Sequence, residues 1–295
     1  MGSRCELQLY LPASKQSEAI FRELIGEVNR LEEKYSRYKQ TSVISAINAA
    51  AGRGAPTIID AETAQLFDYA DALYVQSDGM FDITSGVLRQ AWDFRSGQLP
   101  SDAAIDDTLP LIGWRKVARG PDHIYLPRAG MQVDFGGFAK EYAVDVVTTR
   151  CLDLGVEHGI VNLGGDVRVV GPHPDGSPWR VGIQHPRSSD ETIAVVELDQ
   201  GAVATSGDYE RFMVVDGKRY CHLLDPRTGR SLQSSLASVS VLANNCLVAG
   251  SFSTLAMLQS EAADEWLLSS GLPHLTVDQS LSVNGTIGRT STAAA

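Results

Sequence analysis

The chain is poor in cysteine and in positive charge, and it has no long apolar run. Its four cysteines, Cys5, Cys151, Cys221 and Cys246, form no C-x-x-C pair. That spacing excludes the usual zinc sites and a disulfide framework, so they are read as reduced thiols that mostly fill the core. Lys and Arg number 25 against 36 Asp and Glu, for a formal net charge of −11. Nucleic acid is thereby excluded as the main partner, because phosphate backbones require a basic face. An acidic chain that binds a phosphorylated small molecule needs a local cation, glycine-rich backbone or a metal ion. No apolar stretch approaches the roughly 20 residues that cross a bilayer. No charged segment followed by an apolar one opens the chain, so the expected location is cytoplasmic. The alternative is periplasmic, with an export or lipoprotein segment removed, and only then is peripheral membrane association expected. Internal repeats and low-complexity tracts are missing. So are a G-x-x-x-x-G-K-[ST] loop and a G-x-G-x-x-G after an initial strand, which weakens P-loop and Rossmann readings.

What is present is a globular composition, 43% apolar and 21% charged over 295 residues, enough for one large domain or two fused ones. Residues Glu6 to Leu11 alternate as a strand. Ile20, Leu24, Val28, Leu31 and Tyr35 recur at steps of three or four and predict a helix over 17–35. Further helices are expected over 42–51, 61–76, 139–154, 247–259 and 262–269. Strands are expected over 133–135, 159–163, 167–170, 179–184, 193–198, 201–205, 211–215, 219–224, 237–243 and 274–277. Gly164-Gly165 and Asp216-Gly217 read as hairpin turns. Residues 94–110 read as a loop or short insertion. The tail from Arg289 is small and polar and is expected to fray. Helices early and late with strands between make an α+β layout rather than alternating βαβ units.

The stretch Val133-Asp-Phe-Gly-Gly-Phe-Ala-Lys140 runs from a strand-like end through two glycines into a helix with lysine in its first turn. Glycine backbone, helix N–H groups and the Lys140 charge suit an anion pocket; an ordinary strand–turn–helix has the same form. Asn162-Leu-Gly-Gly-Asp166 allows a tight turn that aims Asp166 at a cleft, or a plain hairpin. Thr205-Ser-Gly207 offers two hydroxyls to phosphate or ribose, or a polar turn. Asp225-Pro-x-x-Gly229 is ordinary type I turn chemistry, but His222 before it is not required by the turn and suits a general base near neutral pH; a structural histidine fits equally. Asp82 and Thr84 share a face if extended, or cap a helix.

The order of these segments resembles the ApbE family of flavin transferases, also called thiamine-biosynthesis lipoproteins. The likeness is carried by Met1-Gly-Ser3, Ser36-Arg-Tyr38, Ser42 to Asn48, Phe81-Asp-Ile-Thr84, Asp134-Phe-Gly-Gly-Phe-Ala-Lys140, Asn162 to Asp166, Thr205-Ser-Gly-Asp-Tyr209 and His222-x-x-Asp-Pro-x-Thr-Gly229. It spans nearly the whole chain and implies a single domain over 1–295, with a mixed or antiparallel sheet core, helices, and an FAD cleft between two tightly joined lobes. The activity implied is FAD:protein FMN transfer, in which FMN passes to a Ser or Thr hydroxyl of a target flavoprotein and AMP leaves, with Mg²⁺ as cofactor. The alternatives are an FAD-binding carrier or regulator without transfer, and a metal-dependent FAD pyrophosphatase giving FMN and AMP. By the same resemblance, Met1, Tyr38, Asn48, Asp82, Lys140, Gly164, Gly165, Asp166, Thr205, Ser206 and His222 line the flavin nucleotide pocket. His222 is also the catalytic base. The resemblance also implies Thr254, Ala139 and Gly250, the last through its backbone only, as the metal-binding positions.

Two positions depart from the family pattern. Where the family reads A-D-A-x-[AS]-T, this chain reads Ala249-Gly-Ser-Phe-Ser-Thr254, so Gly250 stands in place of an acidic ligand. After Lys140, where glycine is frequent, stands Glu141. It either supplies a substitute carboxylate or simply starts the helix favourably.

Overall fold

The computed structural model describes residues 2–287; the expectations for Met1 and for the tail from Arg289 lie outside them. The chain forms two compact units, one of Met1–Glu32, Phe138–Gly207 and Ser235–Ala295, the other of Glu33–Gly137 and Asp208–Ser234. The elements are mixed helix and antiparallel strand, the expected α+β class.

The first unit is built on a seven-stranded sheet. Its strands lie in the order Cys5–Leu9, Gly159–Leu163, Asp166–Gly171, Ala202–Gly207, Leu236–Ala243, His274–Asp278 and Val283–Gly285. Each neighbouring pair is antiparallel. The Leu236–Ala243 strand is buried along its first six residues, which requires cover on both faces. The helices Ala139–Asp153 and Cys246–Gln259 pack against sheet strands and against each other. A hairpin of Trp179–Gln184 and Thr192–Leu198 supplies another layer, packing Trp179, Ile183, Val196 and Leu198 onto Val167, Val169, Val203, Leu275 and Val277. The Gly164-Gly165 hairpin forms as expected, with both glycines at positive φ, 65° and 93°; a side chain there would strain the turn.

The start of the Cys246 helix is fixed by side chains. Asn245 caps it by accepting from the Val248 N–H. Asp145, from the Ala139 helix, accepts from the N–H groups of Cys246 and Leu247, both at 2.8 Å. Arg168 pairs with the same carboxylate at 2.8 Å. A carboxylate at a helix N-terminus satisfies donors that otherwise lack partners and meets the positive end of the dipole. One side chain therefore sets two helices in register with a strand.

The second unit holds a three-stranded sheet in the order Thr57–Ile58, His123–Tyr125, Ala118–Arg119, and the Phe212–Val215/Lys218–Cys221 hairpin. Its helices Val43–Ala49, Ala61–Gln76 and Asp102–Thr108 begin at Ser42, Asp60 and Ser101, whose side chains accept from N–H groups three residues on, the ordinary N-cap arrangement. An aromatic core joins them: Phe67 stacks on Trp114 at 5.9 Å and meets Phe135 edge-on at 4.8 Å, and Phe135 adjoins Tyr35.

Two expectations fail here. The 94–110 segment contains the helix Asp102–Thr108 followed by a 3-10 turn over Leu109–Leu111. Its single buried aliphatic, Ile105, gives too little periodicity to outweigh the aspartates. Residues 133–135 form no strand. Val133 donates to the Asn48 carbonyl at 2.7 Å and accepts from the Asn48 amide at 3.0 Å, while the Asp134 N–H goes to Ile83. A side-chain amide replaces the neighbouring strand. The short strands Thr57–Ile58, Ala118–Arg119 and Val283–Gly285 carry no readable alternation at two or three residues each.

Phe67 is 1% exposed. Truncating it deletes both ring contacts and leaves a cavity, so Phe67→Ala is expected to cost about 3–5 kcal/mol, measured as a lower urea midpoint at unchanged m-value.

Candidate active site

In the first unit, four elements bring the predicted residues together. Lys140 and Glu141 stand in the first turn of the Ala139 helix, Asp166 opens its strand directly after the Gly164-Gly165 turn, Thr205 and Ser206 end theirs, and Gly250 and Thr254 lie one turn apart on the Cys246 helix. The Lys140 ammonium is 2.7 Å from Asp166 Oδ2 and donates to the Gly164 carbonyl at 3.2 Å. It meets Asp166 as an ion pair. The Thr205 backbone also bonds Asp166. Ser206 Oγ lies 2.8 Å from both Ser253 Oγ and Thr254 Oγ1, and Thr205 Oγ1 lies 2.7 Å from Ser240 Oγ. The Gly250 carbonyl accepts from the Ser253 hydroxyl at 2.9 Å.

Glu141 is buried at 8% exposure and Asp166 at 2%. Burial raises the pKa of Glu141 to about 8, and the neighbouring Asp166 charge pushes the same way against the pull of Lys140. Asp166 is also raised by burial, with Lys140 opposing. Burial raises Cys246 well above the ordinary thiol value, and the Asp166, Glu141 and Asp145 charges add to the effect. Two buried carboxyls beside one ammonium make this a place where a further positive charge is favoured.

These residues fit a hard divalent ion. Such an ion takes oxygen donors, and the cluster presents two carboxyls and the Ser206 and Thr254 hydroxyls. Glu141 Oε2 is buried with no hydrogen-bond partner, an orphaned acceptor of the kind a cation satisfies. Among the described residues no group of three or more His, Cys, Asp or Glu side chains converges. Hydroxyl, carbonyl, water or phosphate oxygens would therefore complete the coordination.

In the second unit, Tyr38 stands 70% exposed. The Arg37 guanidinium lies 4.9 Å from its ring centroid and donates to its hydroxyl at 3.3 Å, and Arg89 reaches that hydroxyl at 3.4 Å. Desolvation would raise the Tyr38 pKa, but the Arg37 hydrogen bond and the Arg37, Arg89 and Arg211 charges outweigh it and lower the value. Asp134 pairs with Arg37 at 3.1 Å. Asp82 caps the 3-10 helix Ile83–Gln90: Oδ1 accepts from the Thr84 N–H and hydroxyl, and Oδ2 from the Trp114 N–H. Asn48 likewise bonds the Val133 backbone through its side-chain amide. His222 is half-buried after the Lys218–Cys221 strand, its N–H donating to the Arg211 carbonyl.

Of the sequence-based site, Lys140, Gly164, Gly165, Asp166, Thr205, Ser206, Gly250 and Thr254 gather in the first unit, with Ala139 starting the helix that carries Lys140. Tyr38, Asn48, Asp82 and His222 belong to the second. Met1 lies outside the described residues. Sequence reasoning did not find Ser240, Ser253, Arg37 or Arg89. Ser253 lies beside Thr254 in a helix that otherwise reads as apolar. Arg37, beside Tyr38 in Ser36-Arg-Tyr38, carried the clearest signal.

The profile of the ApbE family matches residues 1–276. The fold and the Lys140–Asp166 cluster thus stand within a family of flavin transferases, and this chain belongs to the ApbE family. Among its relatives, an FAD:protein FMN transferase of Vibrio cholerae is 30% identical over 256 residues, 84% of this chain and 75% of the relative. One of Klebsiella pneumoniae is 31% identical, covering 86% and 79%. The solved ApbE protein of Thermotoga maritima superposes with a TM-score of 0.84 at 28% identity, over 96% of this chain and 97% of that one. The flavin transferase ApbE of Vibrio cholerae gives 0.85 at 26% identity, over 98% and 94%.

The raised Glu141 pKa has a stability consequence. The folded state holds that proton more tightly than the unfolded chain does, so its contribution is complete below the ordinary value of 4.5 and is lost as pH rises through about 8. The groups facing it are Asp166, Lys140 and Cys246. In chelator, the melting temperature is expected to fall across that window, and Glu141→Gln to flatten the fall. An unchanged slope in the variant would assign it to other groups.

Proposed function

We propose that this chain is an FAD:protein FMN transferase that uses FAD as the flavin donor and Mg²⁺ as cofactor. The observation that carries the reading is the Lys140 ammonium held 2.7 Å from Asp166 and 3.2 Å from the Gly164 carbonyl, on the segments whose order matches the family. In the reaction, the acceptor Ser or Thr oxygen bonds to the flavin-side phosphorus of FAD. The bond from that phosphorus to the bridging oxygen breaks, AMP leaves with the electron pair, and His222 takes the hydroxyl proton. Positioning and charge neutralisation carry most of the catalysis in phosphoryl transfer. Lys140 supplies one fixed cation for the phosphates, and the positive-φ turn at Gly164-Gly165 brings backbone close to them. Thr205 and Ser206 offer hydroxyls to the nucleotide, and Tyr38 offers an exposed aromatic face with Arg37 beside it. When bound, Mg²⁺ supplies charge neutralisation at the phosphate oxygens; the Thr254 hydroxyl and the Ala139 and Gly250 carbonyls are the positions the family pattern gives it. The acceptor is a flavoprotein segment bearing Ser or Thr.

The direct test is incubation with FAD and Mg²⁺, with and without an acceptor flavoprotein domain. AMP release and a fluorescent covalent adduct only with acceptor are expected. Release without acceptor would make the protein an FAD pyrophosphatase, and no release a flavin binder. Lys140→Ala removes a charge-assisted contact and is expected to weaken FAD binding about 10- to 100-fold, read by flavin fluorescence titration. His222→Asn is expected to lower the transfer rate by about 10²- to 10⁴-fold, the usual contribution of a positioned base.

A further inference from the structure

Gly250 lies inside the Cys246 helix, where glycine costs about 1 kcal/mol relative to alanine. The reason for it is spatial. A Cβ built there would stand 2.4 Å from Glu141 Cγ, 2.9 Å from Oε1 and 3.0 Å from Cδ. Gly250 is therefore the floor on which the Glu141 side chain lies, and the Glu141 carboxyl fills the space into which any residue at 250 would project. Gly250, Ser251 and Ser253 beside it are buried. Asp166 adjoins the same carboxyl. Glu141 Oε2 is buried without a hydrogen-bond partner. Thr254 follows Gly250 by one turn, which puts both on one helix face.

Burying a carboxyl with an unpaired oxygen next to a second carboxyl is costly unless something positive or donating completes it. Lys140 serves Asp166 and the Gly164 carbonyl, and the Ser206, Ser253 and Thr254 hydroxyls are already linked to one another. We propose that Glu141 is the carboxylate ligand of a divalent cation held between Glu141 and Asp166, and that Gly250 is the small residue that lets its side chain reach that position from the neighbouring helix. Two carboxylates and hydroxyl oxygens form a hard donor set suited to Mg²⁺ or Mn²⁺. In this chain the acid stands on the Ala139 helix and the space for it on the Cys246 helix. The two positions act as a pair, so that an acid at 250 requires a small residue at 141. The proposal deepens the flavin-transfer reading, because the ion would serve the phosphates of FAD.

The test uses the full chain. Mn²⁺ is titrated in the absence of FAD, with free ion read by electron paramagnetic resonance and folding checked by thermal melting. Glu141→Gln is expected to weaken Mn²⁺ at least about tenfold, on the scale of lost metal-site partners. Glu141→Ala should be as weak, and the pair Glu141→Ala with Gly250→Asp should recover affinity, because the aspartate enters the volume the glutamate leaves. A folded Glu141→Gln that binds Mn²⁺ as the parent does, or a paired variant no better than Glu141→Ala, overturns the proposal. Should the variants not fold, the parent chain still decides it. Fe²⁺ with ascorbate and peroxide cleaves backbone near its site, and fragments ending near 141 and 250 are expected, while cleavage confined elsewhere overturns the assignment. FAD titration in chelator separates the two readings. Retained FAD with Mn²⁺ binding insensitive to Glu141 sinks the metal assignment alone. Absent FAD binding sinks the flavin reading, and the Mn²⁺ titration still judges the site.

Discussion

The geometry of the first unit depends on Asp145. Its carboxylate takes the first free N–H groups of the Cys246 helix and an arginine from the adjacent strand. It thereby sets the height of that helix against the Ala139 helix. Glu141 lies one turn before Asp145 on the same helix, and Gly250 lies one turn into the other, so the same register lays the Glu141 side chain on Gly250. Charge-assisted hydrogen bonds are the stronger kind, and this group of three spans helix, helix and sheet with little exposed surface.

Around that frame the electrostatics are unbalanced in one direction. Glu141 and Asp166 are buried together, with the Lys140 ammonium beside Asp166. A proton on Glu141 resolves the imbalance in the isolated chain, and the proposed cation would do the same. The same arrangement that makes the cluster costly for stability favours positive charge beside it. Lys140 faces both ways, toward Asp166 and toward the glycine turn, as suits an anion cradle in a protein of net charge −11.

In the second unit, residues of the family segments also make bonds that hold the fold. Asp82 and Asn48 stand in segments that carry the family resemblance, yet one caps a 3-10 helix and the other replaces a neighbouring strand for Val133. Tyr38 is the contrast. It is exposed, surrounded by arginines and shifted toward ionisation by them. A motif names a position, but whether its polar atoms face a ligand or the fold depends on which backbone groups nearby lack partners.

The helix over 61–76, the Gly164-Gly165 hairpin and most strands of the seven-stranded sheet were legible from periodicity and turn chemistry, because those signals are local. So was the family, from the order of its segments. The sequence also exposed the anomaly at Gly250 and the unusual Glu141 as two separate facts. Only the tertiary structure related them, because positions 109 residues apart in the chain meet through a helix register set by Asp145, which no local pattern encodes. The extended but unpaired course of 133–135 was likewise decided by packing, since a single asparagine amide 85 residues away supplies the hydrogen bonds a strand would have provided.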